Sequence, residues 1–425
     1  MKELRISFSL KLAFERTDVN FVEEKLLVER ERVFKEILLE VLRWIEGEVT
    51  RERPRCRCGG EVMEREGRNP RKLVTLLGEV SFKRARYRCR VCGRESYPLD
   101  EALGLEAERK STLGVRERVL WAAVEVSYEK AEGFLKKFSG LEVSRGSIHR
   151  MAVEEGRRIE GWEEDQRREV FEKGKEAKGA EGRSKEVMYV QVDGTGVNDR
   201  GSGQWMECKV GVSFSERAEI SRGRVLLLDK RCYGSFEKAE VFGEKFFLEC
   251  VKAGVLEAKQ VFFIADGAGW IKRLKEAYFP EAVGVLDSWH LQRELRVGLG
   301  EEREAMVKQC MESAYRGDGA EILRQLWRLS GRVRDRESRE KIVKVLGYVR
   351  ENLQWIGNIP KVMPMGSGPV EKQVDVVVCR RFKKRGMSWY RTKANPLLKL
   401  RLLKLNGLWE QYWRERQQAA AKYAA

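Results

Sequence analysis

Three short apolar runs in the middle of the chain each stop at an aspartate. The first is EVMYVQVDGTGV, residues Glu186–Val197. Val187 and Tyr189 alternate there with Met188, Val190 and Val192, so both sides of the predicted strand are apolar, as in a central strand covered on two faces. Asp193 follows where the pattern gives way to glycines. Val261–Ala265 ends in Asp266-Gly267, and Ala282–Leu286 ends in Asp287, followed by Ser288-Trp289-His290. A single aspartate after a strand can simply cap a turn. Three at strand ends in one region fit an α/β sheet that gathers carboxylates at one rim. Between them, Glu207–Phe214 and Arg224–Lys230 are predicted as strands antiparallel to the first. Ser235–Ala253 is predicted as an amphipathic helix, and a helix with Trp270, Ile271 and Leu274 on one face follows Asp266.

Another acid comes much later. Residues 291–360 have leucines, tryptophans and paired charges at helical spacing and read as a helical insertion ending at Ile359-Pro360. Then comes MGSGPVEKQVDVVVCRRFKKRGMSW, Met365–Trp389. Ser367 or Gly368 can cap a helix with Pro369 in its first turn. Glu371 sits in that turn, with Asp375 one turn later on the same face. The run Val374–Val378 has strand propensity, yet the segment as a whole reads as helix. Arg380, Arg381, Lys383, Lys384 and Arg385 follow directly. Carboxylate oxygens bind Mg²⁺ or Mn²⁺, and paired ions about 4 Å apart serve phosphodiester displacement. Arginine and lysine hold the phosphate backbone. The chain lacks HExxH and GxxxxGK[ST], which disfavours a zinc hydrolase and excludes a P-loop NTPase.

Charge supports a polyanion partner. The 425 residues carry a net +17, and residues 361–425 hold 15 basic against 4 acidic residues. Residues 51–100 hold 14 against 7. Localised positive charge of this kind points to nucleic acid. No run approaches the ~18 apolar residues of a membrane span. The start, MKELRISFSLKLAFERTD, mixes charge into its apolar residues and lacks a signal-peptide core. An intracellular protein with no membrane partner is expected, and nine cysteines do not suggest a disulfide framework.

Residues 20–50 read as one helix, for packing or dimerisation. Cys56-x-Cys58 and Cys89-x-x-Cys92, each followed by glycine, flank two strand-like runs, Leu73–Leu77 and Glu79–Arg88. Four thiolates on the two ends of a hairpin suit a structural zinc ion, with reduced structural thiols as the alternative. Ala131–Gly156 has the plan of a helix-turn-helix or of an ordinary helical hairpin. Its first helix ends near Gly140, and Ser144 or Ser147 caps a second that carries Arg145, His149 and Arg150, of which Arg145 and Arg150 are candidate DNA contacts. Residues 160–185 read as a polar helix running into a linker.

Taken in order, YRCRVCGRESYPLD, VQVDGTGV, ADGAGWI, LDSWHL, GSGPVEK and RRFKKRGMSW resemble the ISLre-type transposases of bacterial insertion sequences. That group is similar to the Mutator-like DDE transposases. The resemblance runs from about residue 50 to 405. It implies a multidomain α+β chain in which a ribonuclease-H-like α/β catalytic core with a helical insertion follows a zinc-ribbon-like hairpin and a helical DNA-binding region. The expected divisions are 1–50, 51–100, 101–160, a linker at 161–185, the first part of the core at 186–290, the insertion at 291–360, and the last acid with the basic C-terminus at 361–425. By matching motifs, Asp193, Asp266 and Glu371 are the expected catalytic, Mg²⁺-binding acids, and Asp375 is the rival of Glu371. Asp287 and His290 match a [C/D]xxH motif expected near the active site; a helix-start role is the alternative for His290. The resemblance implies binding of terminal inverted repeats and target DNA, action as a homo-oligomer, and a cytoplasmic, nucleoid-associated location. A non-catalytic DNA-binding derivative and a structure-specific nuclease are the alternatives. The first cysteine pair, CxC rather than CxxC, departs from the pattern.

Overall fold

The computed structural model describes residues 3–106, 108–177, 179, 185–222, 224–363, 366 and 368–424. They fall into two units, Met1–Met151 with Leu408–Ala425, and Ala152–Gly407. The chain is a mixed α/β, multidomain protein with several sheets.

In the first unit, helix α1 (Val19–Val49) starts where Asp18 accepts the Phe21 N–H at 3.1 Å. Strands β1 (Glu64–Thr75) and β2 (Gly78–Arg88) form an antiparallel hairpin, and β3 (Glu95–Ser96) pairs with β2. Gly78 closes the hairpin turn at φ +102°, a conformation that suits glycine. Strand β1 begins nine residues before the predicted Leu73. Its first half is charged and solvated because β1 is an edge strand, and an edge also admits Pro70. Buried Glu46 ties α1 to the hairpin by accepting the Ala85 N–H at 2.6 Å and pairing with Arg68. Asp100, on α2 (Pro98–Ala102), binds Arg71 at 2.6 Å and Arg84 at 2.9 Å. Helices α3 (Leu113–Ala123) and α4 (Tyr128–Ser139) are capped by Thr112 and Ser127. Gly140, at φ +63°, ends α4. Ser144 then accepts the Ser147 N–H at 3.3 Å at the start of α5 (Arg145–Phe171). The predicted helix, glycine stop and serine cap are therefore present, and they suit a helix-turn-helix and an ordinary helical hairpin alike. The C-terminal helix Trp409–Ala424 buries Trp409 edge-on against Trp121, with centroids 5.4 Å apart.

The second unit is built on five strands: β4 (Lys185–Asn198), β5 (Trp205–Phe214), β8 (Arg231–Ser235), β9 (Ala258–Ala265) and β10 (Val283–Leu286). Their order is β10-β9-β4-β5-β8. Strands β10, β9 and β4 run parallel, while β5 is antiparallel to both β4 and β8. The predicted strand Arg224–Lys230 exists as β7 (Arg224–Leu228). It pairs instead with β6 (Glu216–Ser221) in a separate two-stranded ribbon. The place in the main sheet goes to RCYGS, too short and too glycine-broken to show an alternating pattern. Asp193 also does not end its strand. Pairing with β9 stops at Gln191, but pairing with β5 continues to Asn198.

Helix α6 (Ala239–Lys252) packs directly on the sheet, since a Cβ added to Gly211 would lie 2.5 Å from the Phe246 ring. Helix α7 (Gly269–Tyr278) follows β9. The insertion expected at 291–360 is helical, and its helices run from 288 to 357: α8 (Ser288–Leu299), α9 (Glu304–Tyr315), α10 (Gly319–Arg332), α11 (Arg336–Glu351) and α12 (Leu353–Gly357). Their buried Leu291, Leu295, Val307, Leu326 and Val349 share one core with Ile264 and Val285 of the sheet. The chain returns in α13 (Gly368–Gln373), a π-helical segment Val374–Cys379, α14 (Arg380–Phe382) and α15 (Arg391–Leu405). Among the described residues no helix is long and apolar enough to cross a membrane.

Lys399 on α15 is fully buried. Its ammonium donates to the Tyr233 hydroxyl and the Gly234 carbonyl and pairs with Glu163 at 2.8 Å. Removing one member of a buried pair strands the other charge. Lys399→Met should therefore cost about 3 kcal/mol in urea unfolding, with much of the loss restored by adding Glu163→Gln.

Candidate functional site

The acids are brought together by strand register. Gln191, Ile264 and Val285 stand side by side on β4, β9 and β10. Two residues further along each chain come Asp193, Asp266 and Asp287. Asp193 lies beyond the last β4–β9 pair, and Asp266 and Asp287 directly follow their strands, so all three acids come to the same end of the parallel strands. Asp287 is completely buried, while Asp193 and Asp266 are half-buried.

Each acid is held locally. Asp193 accepts its neighbour's N–H, from Gly194, at 2.6 Å. Asp266 accepts the Ala268 N–H at 2.9 Å, and its carbonyl receives the Tyr348 hydroxyl at 2.8 Å. Asp287 caps α8 through the His290 N–H at 2.8 Å, and its same oxygen lies 2.6 Å from His290 Nδ1. His290 is thus a helix-start residue whose ring lies beside Asp287 in the candidate site.

Glu371 reaches this rim through Gln191. Fully buried Gln191 donates to the Gly366 carbonyl at 3.1 Å and accepts the Val370 N–H at 3.0 Å. Glu371 is the next residue, and its carboxylate lies within 4.8 Å of ligand atoms of Asp287 and His290. That donor set does not include Asp193 or Asp266, but Asp193 feels the charge of Glu371. Burial pushes the Asp193 carboxyl above its ordinary range, and the nearby Asp266 and Glu371 add to the effect. The Gly194 N–H and His290 oppose it. Burial lowers the His290 pKa, but the Asp287 hydrogen bond and the charges of Asp287 and Asp266 outweigh it, leaving the ring above its usual value. The result is a negatively charged recess with one imidazole beside it.

The rival Asp375 is half exposed and bound to Arg380 at 2.9 Å. The Val-rich run that mixed strand and helix signals is π-helical. Buried Arg401 takes the carbonyls of Val376 and Val377 at 3.0 and 3.1 Å, which supports the widened turn. Ser367, the alternative helix cap, lies outside the described residues. In the basic run, Lys383, Lys384 and Arg385 are exposed, and Lys383 donates to Thr195, two residues beyond Asp193. Arg381 is not at the surface that a phosphate contact needs. It is 1% exposed, with its guanidinium over the Trp389 ring at 5.1 Å. Arg145 and Arg150 are exposed near the start of α5. Sequence reasoning missed Gln191 and Tyr348. A lone amide in an apolar strand, two residues before an acid, was the available signal for Gln191; Tyr348 had none.

The four cysteines form a second candidate centre. Their sulfurs lie within 4.8 Å of one another, with Cys56 3.5 Å from Cys92 and Cys58 3.6 Å from Cys89. A tetrahedral zinc with ~2.3 Å bonds needs sulfurs about 3.8 Å apart, so the cluster could hold a metal such as zinc. Cys56 and Cys89 open turns of equal length. The Gly60 N–H returns to the Cys56 carbonyl at 2.8 Å, and the Gly93 N–H to the Cys89 carbonyl at 2.9 Å. Both glycines have positive φ. The CxC pair therefore uses the same loop as the CxxC pair, with its second cysteine one position earlier. Hydrogen bonds from the backbone of Cys92 and Val91 lower the Cys89 thiol to about 7, and hydrogen bonds with neighbouring thiols, Cys56 first, push Cys58 up to about 12.

Two outcomes follow. Elemental analysis should find zinc in the purified protein and lose it in Cys58→Ser and Cys92→Ser, but not in Cys379→Ser; equal zinc in all would rule out the cluster. Gln191→Leu should cost about 1–3 kcal/mol by leaving buried backbone groups unpaired. It should also speed amide exchange at Val370.

Relatives share much of this chain. A UPF0236 protein of Caldanaerobacter subterraneus subsp. tengcongensis is 25% identical over 349 residues, covering 80% of this chain and 69% of its own. A protein of Streptococcus gallolyticus named for its place in a vanSb 3′ region is 25% identical over 364 residues, covering 81% and 74%. The pattern of the uncharacterised protein family UPF0236 matches residues 13–418, and the chain belongs to that family.

Proposed function

We propose that the protein is a DNA transposase that cuts at the ends of an insertion sequence and joins them to target DNA. The observation that carries this reading is the rim where Asp193 and Asp266 each lie two residues past the paired Gln191 and Ile264, and Gln191 brings in Glu371. The strand order and directions agree with the ribonuclease-H-like core that the sequence resemblance implies. Further support comes from a relative whose name joins eleven numbered loci of one organism, as a mobile gene would leave behind.

The donor set fits a hard divalent cation, because these acids are oxygen ligands, and burial together with the charges of Asp266 and Glu371 raises the proton affinity of Asp193. Asp193, Asp266 and Glu371 would hold Mg²⁺ or Mn²⁺, which supplies positive charge for displacement at phosphorus. The remaining work falls to the chain's own groups. His290, oriented by Asp287, offers its ring to the acid recess and offsets part of the crowded charge. Lys383, Lys384 and Arg385 bind the backbone of the strand to be cut. The zinc hairpin and the α4–α5 pair, with Arg145 and Arg150, bind the terminal inverted repeats. These partners imply a cytoplasmic, nucleoid-associated homo-oligomer.

A second reading of the metal site rests on one distance. Asp287, His290 and Glu371 are the donors that stand within mutual reach. If they hold the ion, Asp266→Asn keeps most activity; the proposed triad requires that Asp266→Asn lose it.

The test is a strand-transfer assay with Mg²⁺ and DNA carrying the flanking ends of the gene's own element. Asp193→Asn and Glu371→Gln should lower joining by at least roughly a thousandfold while end binding in gel shift stays unchanged. Wild-type protein that binds ends but never cuts would overturn the proposal in favour of a non-catalytic DNA-binding role. Cutting without joining would overturn it in favour of a nuclease.

A further inference from the structure

The segment before α1 alternates strictly. Leu4, Ile6, Phe8, Leu10, Leu12 and Phe14 occupy the even positions, and Arg5, Ser7, Ser9, Lys11 and Ala13 lie between them. Such a period puts six apolar side chains on one face of a strand. Yet among the described residues this segment pairs with no strand. Leu4 is 39% exposed, Phe8 60%, Leu10 38% and Phe14 42%. An extended segment with an open backbone edge and one apolar face is a template for strand pairing.

The charges select a partner. When the segment is laid antiparallel on a second copy, registers that keep apolar residues opposite apolar ones differ by steps of two. One register sets Glu3 against Glu15, and the next in one direction sets Arg5 against Lys11; both place like charges face to face. The next in the other direction sets Arg5 against Glu15 twice. It also pairs Ile6 with Phe14, Phe8 with Leu12, and Leu10 with its own mate on the two-fold axis. Opposite charges directly across a pair of strands stabilise it and like charges oppose it. A two-stranded ribbon is marginal alone and needs its apolar face covered. Helix α1, which starts at Val19, exposes Leu27, Val28 and Phe34 and can supply that cover.

We propose that residues 5–15 pair antiparallel with the same residues of a second copy of this chain, in the register that sets Arg5 against Glu15. The ribbon makes an isologous dimer contact, in which each copy offers the same patch. This contact does not depend on the catalytic reading.

The experiment is sedimentation of the full-length protein without DNA, with zinc content and circular dichroism as checks on folding. Wild type should sediment as a dimer. Arg5→Glu and Glu15→Arg should each weaken the dimer by roughly tenfold, and the double swap should restore it. Leu10→Cys should form an intermolecular disulfide under mild oxidation, and Phe8→Cys should not. A monomeric wild type would overturn the proposal, as would a dimer unaffected by either swap. Single swaps that weaken the dimer without rescue by the double swap would overturn the register.

Discussion

One amide side chain joins the two distant halves of the candidate active site. Gln191 lies in the centre of the sheet, shielded from water, and bonds to backbone groups of residues 366 and 370. Its partners are 175 and 179 positions away in the chain. A buried amide with both ends satisfied is specific about geometry, because any shift leaves a donor or acceptor unpaired. The long helical segment between sheet and Glu371 can therefore vary in its own packing, provided it returns the chain to this strand.

The sheet solves the other half of the problem with no side chain at all. Parallel pairing of β4, β9 and β10 carries a register, and the register brings three aspartates to the same end of these strands. Together they concentrate negative charge, and the fold compensates only in part. His290 and the Gly194 N–H favour the ionised Asp193, while burial and two neighbouring acids oppose it. A site left in this electrostatic state is suited to a cation, which is the physical content behind the proposed chemistry.

Much of this was legible in the sequence because it depends on local patterns. Apolar runs ending in aspartate marked β4, β9 and β10. Helical spacing marked residues 291–360, and the cysteine spacing marked the hairpin ends. What escaped depends on long-range pairing. Strand β8 is five residues with a glycine, so only its ladder with β5 makes it a strand, and the more apolar β7 was the better local candidate. Asp193 looked like a turn residue because glycines follow it, yet β5 keeps that stretch extended. Arg381 sat in a basic run, and only the position of Trp389 turned it inward. The Val374–Val378 conflict had a physical source as well: the segment is helical, but wider than an α-helix, and it leans on Arg401 from another helix.

That widened turn lies between the acid and the cations that follow it. A π-turn is an α-helix with one residue inserted. Glu371 lies before the insertion, and Lys383, Lys384 and Arg385 lie after it. Deleting a single valine from the run would preserve helix, hydrophobicity and composition. Six residues of π-helix turn through about the same angle as five of α-helix, so the shortened segment would return to a plain α-helix with Lys383 still on the side of Thr195. What the extra residue supplies is the pair of carbonyls, of Val376 and Val377, that Arg401 holds.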